Sequence, residues 1–173
     1  EVVIAAGTYY VQVEEAGNNA TIAAYRLEVK VQTSKGNEVE PNNGLGTPTT
    51  FAGNDVFLFG GHQAQGDQDF YAIVVPAGYG LRAEVIEGGA ETCESSGIDS
   101  YLELYDGDAN LLVADEDGGR GFCSAIDGTG LAAFYPAAGN LPAGTYYLNV
   151  RASPNAASQA AAQFDYRLAL TVR

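Results

Sequence analysis

The sequence predicts an all-β protein: an antiparallel β-sandwich of jelly-roll type with about eight or nine strands, preceded by a two-stranded ribbon at the N-terminus. Short runs rich in Val, Leu, Ile and Tyr alternate with polar residues at period two. No segment sustains the 3.6-residue apolar period of a helix. Turn residues punctuate the chain at regular intervals, as a sandwich requires. The composition, 22 Gly and 11 Tyr with neither Met nor Trp among 173 residues, suits strands and tight turns around one sizeable core.

Taken in order, the first strand signals are Thr8–Val13 and Tyr25–Val31, on either side of the loop around Gly17-Asn18-Asn19. Both recur late in the chain. Ala6-Gly7-Thr8-Tyr9-Tyr10 matches Ala143-Gly144-Thr145-Tyr146-Tyr147, and Tyr25-Arg26-Leu27 matches Tyr166-Arg167-Leu168, at offsets of 137 and 141 residues. This internal repeat makes residues 1–33 the terminal strand pair of a preceding or exchanged unit. A lone ribbon is marginally stable in water, so Tyr9, Val11, Val13, Leu27, Val29 and Val31 need a cover. The ribbon packs on its own domain, belongs to a tandem array, or completes a neighbouring copy by strand donation. Donation repeated head to tail need not close, which is the geometry of a filament.

Residues 34–44 are polar and broken by Pro and Gly, and read as linker and domain start, although their acids and amides equally suit a calcium loop. Residues 45–173 then carry the sandwich. Strands are expected at Asp55–Phe59, Phe70–Val75, Leu81–Ile86, Tyr101–Tyr105, Leu111–Ala114, Leu131–Tyr135, Thr145–Arg151 and Phe164–Val172. The turn-rich Asp106–Asn110 makes the Tyr101–Ala114 region a hairpin. Centring it on Asp108 pairs Leu104 with Leu112 and Leu102 with Ala114. Extended outward, that register sets Asp99 opposite Asp117 and Cys93 opposite Cys123.

Cys93 and Cys123 are the only cysteines and His62 the only histidine, so a disulfide suits the thiols better than a zinc site with its four ligands. A stable disulfide implies oxidising surroundings, extracellular or at the cell surface. Asp99, Asp115, Glu116 and Asp117 pile up beside it. Like charges facing each other in a sheet call for a cation, and a hard ion such as Ca2+ would suit; a solvated acidic edge is the other reading.

The formal charge of −14 argues against nucleic acid or an anionic membrane surface as partner and favours bound cations. No apolar run is long enough to insert in a membrane as a helix, and the first residues do not read as a signal peptide.

Several motifs, in order, resemble the bacterial pre-peptidase C-terminal (PPC) domain family. They are Glu40-Pro41-Asn42-Asn43, Gly66-Asp67-Gln68-Asp69-Phe70-Tyr71, Asp99-Ser100-Tyr101-Leu102-Glu103-Leu104-Tyr105-Asp106, the acidic Asp115–Gly119, Leu141–Tyr147 and Tyr166-Arg167-Leu168. The resemblance spans residues 38–173, and residues 1–33 resemble the end of a second copy. It implies a β-sandwich module of secreted proteases and surface proteins, related to the collagen-binding domains of clostridial collagenases. It also implies a calcium site drawn from Glu38, Glu40, Asn42, Asn43, Asp67 and Asp69. The disulfide and the long Gly88–Ile98 loop depart from that family pattern.

No catalytic constellation is legible. His62 lacks a partner motif and reads as an ordinary loop histidine, and no phosphate-binding glycine loop is present. The sequence therefore points away from an enzyme. Two non-catalytic classes are expected: a calcium-stabilised structural module assembling with neighbouring copies of itself or adjacent repeats, or an accessory module binding collagen, polysaccharide or a cell surface. The second would use Tyr101 and Tyr105, unless a second sheet covers them.

Overall fold

The chain divides into two compact units, Glu1–Lys30 and Val31–Arg173. The computed structural model describes residues 5–173 apart from 18, 26, 28, 30, 65, 89–92, 94–96, 132 and 156–162. The second unit contains, among the described residues, β1 (Thr33–Asn37), β2 (Thr49–Thr50), β3 (Val56–Gly61), β4 (Gln68–Val75), β5 (Leu81–Glu87), β6 (Ser100–Tyr105), β7 (Leu111–Asp115), β8 (Ala125–Asp127), β9 (Gly144–Ala152) and β10 (Asp165–Val172). They form two five-stranded sheets, ordered β1-β3-β10-β5-β8 and β2-β4-β9-β6-β7.

Apart from the β6–β7 hairpin, every connection carries the chain across to the other sheet. Successive strands therefore reverse direction while changing layer. This parity fixes the pairing: strands of opposite parity lie antiparallel, and β1 with β3 and β2 with β4 lie parallel. The sandwich is thus mixed, where alternation alone suggested a purely antiparallel one. The parallel pairs sit at two sheet edges, where β1 and β2 are short and polar.

Alternation along the longer strands builds the core. In β4, Asp69, Tyr71, Ile73 and Val75 face the other sheet. Leu148 and Val150 of β9 and Tyr166, Leu168, Leu170 and Val172 of β10 meet them from the middle of each sheet. Full burial of such side chains contributes about 1.5–3 kcal/mol each, which makes β9 and β10 the strands around which both layers are organised.

The structure corrects several local expectations. No strand is present among the described residues of 131–135: Leu131 and Phe134 are exposed, and the chain leads into a 3-10 turn at Pro136–Ala138. Glycines on both sides and the proline favour turning over pairing. β1 occupies residues expected to end the N-terminal segment and begin the linker; Thr-Ser-Lys-Gly-Asn has no apolar alternation to announce it.

The β6–β7 hairpin forms, but one residue out of the expected register. Leu104 pairs with Val113 and Leu102 with Asp115, with an irregularity beside Tyr105, which pairs with Leu111. The cause lies in the turn. Asp106 accepts hydrogen bonds from the amides of Asp108 and Asn110, Ala109 adopts φ 65°, and the extra residue is taken up at Leu112.

No strand is present among the described residues of Thr8–Val13 and Tyr25–Val31, which lie in the first unit except for Val31 at the start of the second; Arg26, Glu28 and Lys30 lie outside the described residues. Tyr9, Val11, Val13, Leu27, Val29 and Val31 are all exposed. Without further strands to bury that face, strand order is not sustained. Two local features are defined. The Tyr9 hydroxyl donates to the Ala5 carbonyl at 2.7 Å, and Glu15 accepts from the amides of Asn19 and Ala20.

Candidate metal centre

Three carboxylates meet beside the segment that follows β1 and the start of β4. Glu38 and Glu40 follow β1, while Asp69 points inward from β4. Glu38, Glu40 and Asp69 each offer an oxygen within 4.8 Å of the others, and they are the one such group of three or more among the described residues. A cavity of about 470 Å3 opens beside them, lined in part by Glu38, Glu40, Gly60, Gly61, Asp165 and Tyr166.

The surroundings hold these acids in place. Glu38 Oε1 accepts from the Gly61 amide at 2.7 Å, and Glu38 Oε2 from the Asn42 side-chain amide at 3.2 Å. The Asn42 backbone amide donates to Glu40 Oε2 at 2.8 Å, and its carbonyl accepts from the Phe70 amide, beside Asp69. His62 Nε2 lies 3.1 Å from both Asp69 Oδ2 and the Val150 carbonyl.

Between Glu38 and Asp69 run the two buried tyrosines. Glu38 Oε2 to Tyr71, Tyr71 to Tyr166 and Tyr166 to Asp69 Oδ2 are three contacts of 2.6 Å each. With Tyr71 donating to Glu38 and Tyr166 to Asp69, no hydroxyl proton is left for the contact between the two tyrosines, so the row is complete only with a further proton on one of the two acids. The electrostatics agree. Burial and the Asp69 charge raise the Glu38 pKa from 4.5 to about 7, against the opposing hydrogen bonds of Tyr71, Gly61 and Asn42. Burial and the neighbouring acids push both tyrosines well above their ordinary value.

Two oxygens at this site are buried without a hydrogen-bond partner: Asp69 Oδ1 and Asn42 Oδ1. Buried carboxylate and amide oxygens left unpaired carry a desolvation cost that a cation removes. The donor set is all oxygen and largely anionic, which suits a hard ion of Ca2+ type over zinc or copper.

Of the six residues that the sequence resemblance implies, Glu38, Glu40 and Asp69 come together with Asn42 among them. Asn43 and Asp67 do not join the group. Asn43 donates to Asp67 Oδ1 at 2.7 Å, and Asp67 also accepts from the amides of Gln63 and Gln68. They close the turn before β4.

The second acidic set is not gathered. Asp115 accepts from the Gly118 and Ala125 amides at 2.8 Å and from the Tyr135 hydroxyl. Glu116 accepts from Ser153 and from Asn155. Asp99 and Asp117 have raised pKa values, chiefly from burial and with a contribution from neighbouring acids, Asp117 acting on Asp99 among them; both lie beyond the paired residues of β6 and β7, whose register is not the one that set them opposite each other. Asp99 instead lies where its carbonyl accepts from the Ser153 amide.

Cys93 and Cys123 are bonded, with Cα atoms 5.3 Å apart, and both are buried. The bridge forms although the register that suggested it does not hold. It is aligned by the Phe122 amide donating to the Cys93 carbonyl and the Ser100 amide donating to the Phe122 carbonyl. Much of the Gly88–Ile98 loop lies outside the described residues.

Three contributors escaped sequence reasoning. His62 is buried against the Phe164 and Tyr166 rings, not on a surface loop. Tyr71 and Tyr166 supply the hydroxyl row. A legible signal was the Gly60-Gly61 pair, since glycine inside a strand marks close approach. A Cβ at Gly60 would lie 2.4 Å from Tyr166 Cζ and 2.6 Å from the Tyr71 hydroxyl. Gly60→Ala is therefore expected to cost about 1–3 kcal/mol and to weaken metal binding by displacing both tyrosines. Thermal melts and a calcium titration check this; an unchanged variant would show that the row tolerates displacement.

No family model and no curated relative matches the chain. Among solved structures, it is similar to the pre-peptidase C-terminal domain of a collagenase from Bacillus anthracis, at 15% identity and TM-score 0.40, covering 86% of this chain and 100% of that one. It is also similar to PliG, a periplasmic inhibitor of g-type lysozyme, from Aeromonas hydrophila, at 16% identity and TM-score 0.44, covering 83% and 100%. For PliG of Salmonella Typhimurium the values are 17%, 0.41, 72% and 96%. No family is thereby assigned. At these identities and TM-scores the likenesses carry no function across, and the sandwich architecture rests on the strand pairing itself.

Proposed function

We propose that this chain is a non-catalytic, calcium-braced structural module of an extracellular assembly. The observation that carries the calcium reading is the Glu38–Glu40–Asp69 group with the unpartnered buried oxygens of Asp69 and Asn42. An ion held there ties the segment after β1 to β4, and through Tyr71 and Tyr166 it bears on β10 in the opposite sheet. Its chemistry is bracing. His62 Nε2 faces Asp69 and the Val150 carbonyl, its Nδ1 is buried without a partner, and none of these contacts sets it beside a serine or cysteine nucleophile. The disulfide supports the extracellular setting. The assembly reading is supported by the exposed apolar positions Tyr9, Val11, Val13, Leu27 and Val29 of the first unit and Val31 just after it, which a neighbouring copy or adjacent repeat would cover.

A second reading has its own observation. The two sheets pack on the side of Leu102 and Leu104, so Tyr101, Tyr105 and Tyr147 stand on the outer face of theirs. Arg151 lies over the Tyr101 ring at 4.1 Å, and Glu103 accepts from Asn149 and Tyr105. Such a face suits an accessory module that binds matrix protein or polysaccharide.

Calorimetric titration with calcium chloride is expected to show one ion per chain, with binding lost in Asp69→Asn. Absence of binding in the unsubstituted protein would remove the brace. Light scattering of the same sample separates the two roles. Polymers support assembly, whereas a monomer retained on collagen or polysaccharide supports the accessory reading.

A further inference from the structure

The N-terminal repeat matches two strands that do not pair with each other. Residues 8–13 stand at the positions of β9 residues 145–150, and residues 25–31 at those of β10 residues 166–172. In this chain's own sandwich β9 lies between β4 and β6, whereas β10 lies between β3 and β5 in the opposite sheet. A paired ribbon is therefore not what the repeat encodes.

The correspondence extends to every inward position. Val11 and Val13 match Leu148 and Val150; Leu27, Val29 and Val31 match Leu168, Leu170 and Val172. Those five later residues are at most 1% exposed, while the five earlier ones are 41–72% exposed. A local structural feature is shared as well. Tyr146 donates to the carbonyl of Pro142 four residues back, and Tyr9 donates to that of Ala5, the same four-residue bond at the matching position. Tyr25 matches Tyr166, whose hydroxyl meets Asp69 and Tyr71.

We propose that Thr8–Val13 and Tyr25–Val31 are the ninth and tenth strands of a second sandwich, one entering the middle of each sheet, and that their partner is a like module offering β1–β8 with both slots open. The proposal rests on the assembly reading above and specifies its partner. An intact copy of this chain fills both slots itself, so the acceptor is a module whose last two strands are these. Tyr25 then completes the acceptor's own hydroxyl row beside its acidic group. The apolar side chains are buried in pairs across two layers, not along one edge.

The test places residues 31–141 ahead of residues 5–173, joined at Ala5, which matches Pro142, so that the connection from β8 to the first inserted segment keeps its length. Amide hydrogen exchange is then compared with that of the unextended protein. Exchange at both residues 8–13 and residues 25–31 is expected to slow at least about 100-fold. The combined substitution Val11→Asp and Leu27→Asp is expected to abolish this protection while leaving the melting of residues 31–173 unchanged. Protection at neither segment, or at only one, overturns the proposal, as does protection that survives the double substitution. A companion fusion carrying residues 142–173 in place of 5–32 shows that the added scaffold folds at that position. Exchange is read with calcium and with a chelator, so a failed calcium brace and a failed strand insertion give different results.

Discussion

In a chelator at pH 7.5 the protein is expected to melt about 5–10 °C lower than in calcium at roughly a hundredfold excess over its dissociation constant. Ligand at that excess stabilises the folded state by about 2.7 kcal/mol, and for a chain of this size each kcal/mol moves the melting temperature by about 2–4 °C. The effect depends on pH in a defined direction. Glu38, with its pKa raised from 4.5 to about 7, holds more protons when folded than when unfolded across that interval. The ion-free protein therefore loses stability as pH rises from about 4.5 to 7, and the full cost is present above that. On the proposed reading calcium would take the place of the proton on Glu38, so the gain on adding the ion is expected to be small near pH 5 and largest above pH 7. Glu38→Gln separates the two contributions: it is expected to raise the melting temperature in chelator and to remove the response to calcium. Equal calcium effects at pH 5 and 7.5, or a chelator with no effect at either, would exclude the proton-coupled site.

Replacing both Cys93 and Cys123 by alanine is expected to lower the melting temperature by on the order of 10 °C. The bridge spans 30 residues of chain, and closing a loop of that length restricts the unfolded state by roughly 3–4 kcal/mol. It also anchors a region with few strands of its own. Between β5 and β8 the chain leaves one sheet, forms the hairpin of β6 and β7 in the other and returns. Both sulfurs are buried, so a mild reductant should act slowly on the folded protein and quickly once it opens. The measurement is a pair of melts, reduced and oxidised, beside the double variant. If all three coincide, the bridge contributes nothing to stability, and the inference from it to an oxidising location loses its physical basis.

Much of the architecture is legible in the sequence. Alternation along Phe70–Val75, Leu81–Ile86, Thr145–Arg151 and Phe164–Val172 marks strands because each buries one face, and β4, β5, β9 and β10 occupy those stretches. The edge strands were not legible. β1 and β2 bury little, and their pairing is imposed by the sheets they join. The hairpin register was missed by one residue because a side chain, that of Asp106, organises the turn and forces an extra residue into β7. Site residues divide in the same way. Glu38, Glu40, Asn42 and Asp69 could be named from motif order, but only the fold brings the oxygens of Glu38, Glu40 and Asp69 within 4.8 Å of one another while Asp67 is turned to Asn43 and the amides of its own turn.

Local periodicity, the two lone cysteines and the internal repeat by themselves determined an all-β protein, its disulfide and the likeness of residues 8–13 and 25–31 to β9 and β10. Those features depend on neighbours along the chain, or on identity between distant stretches, and both can be read in one dimension. Only the tertiary structure decided that the repeated strands go to different sheets, that His62 is an interior group, and that a row of hydroxyls connects two acids across the sandwich. These follow from which surfaces close against each other, and burial sets both the cost of an unpaired oxygen and the proton affinity of Glu38.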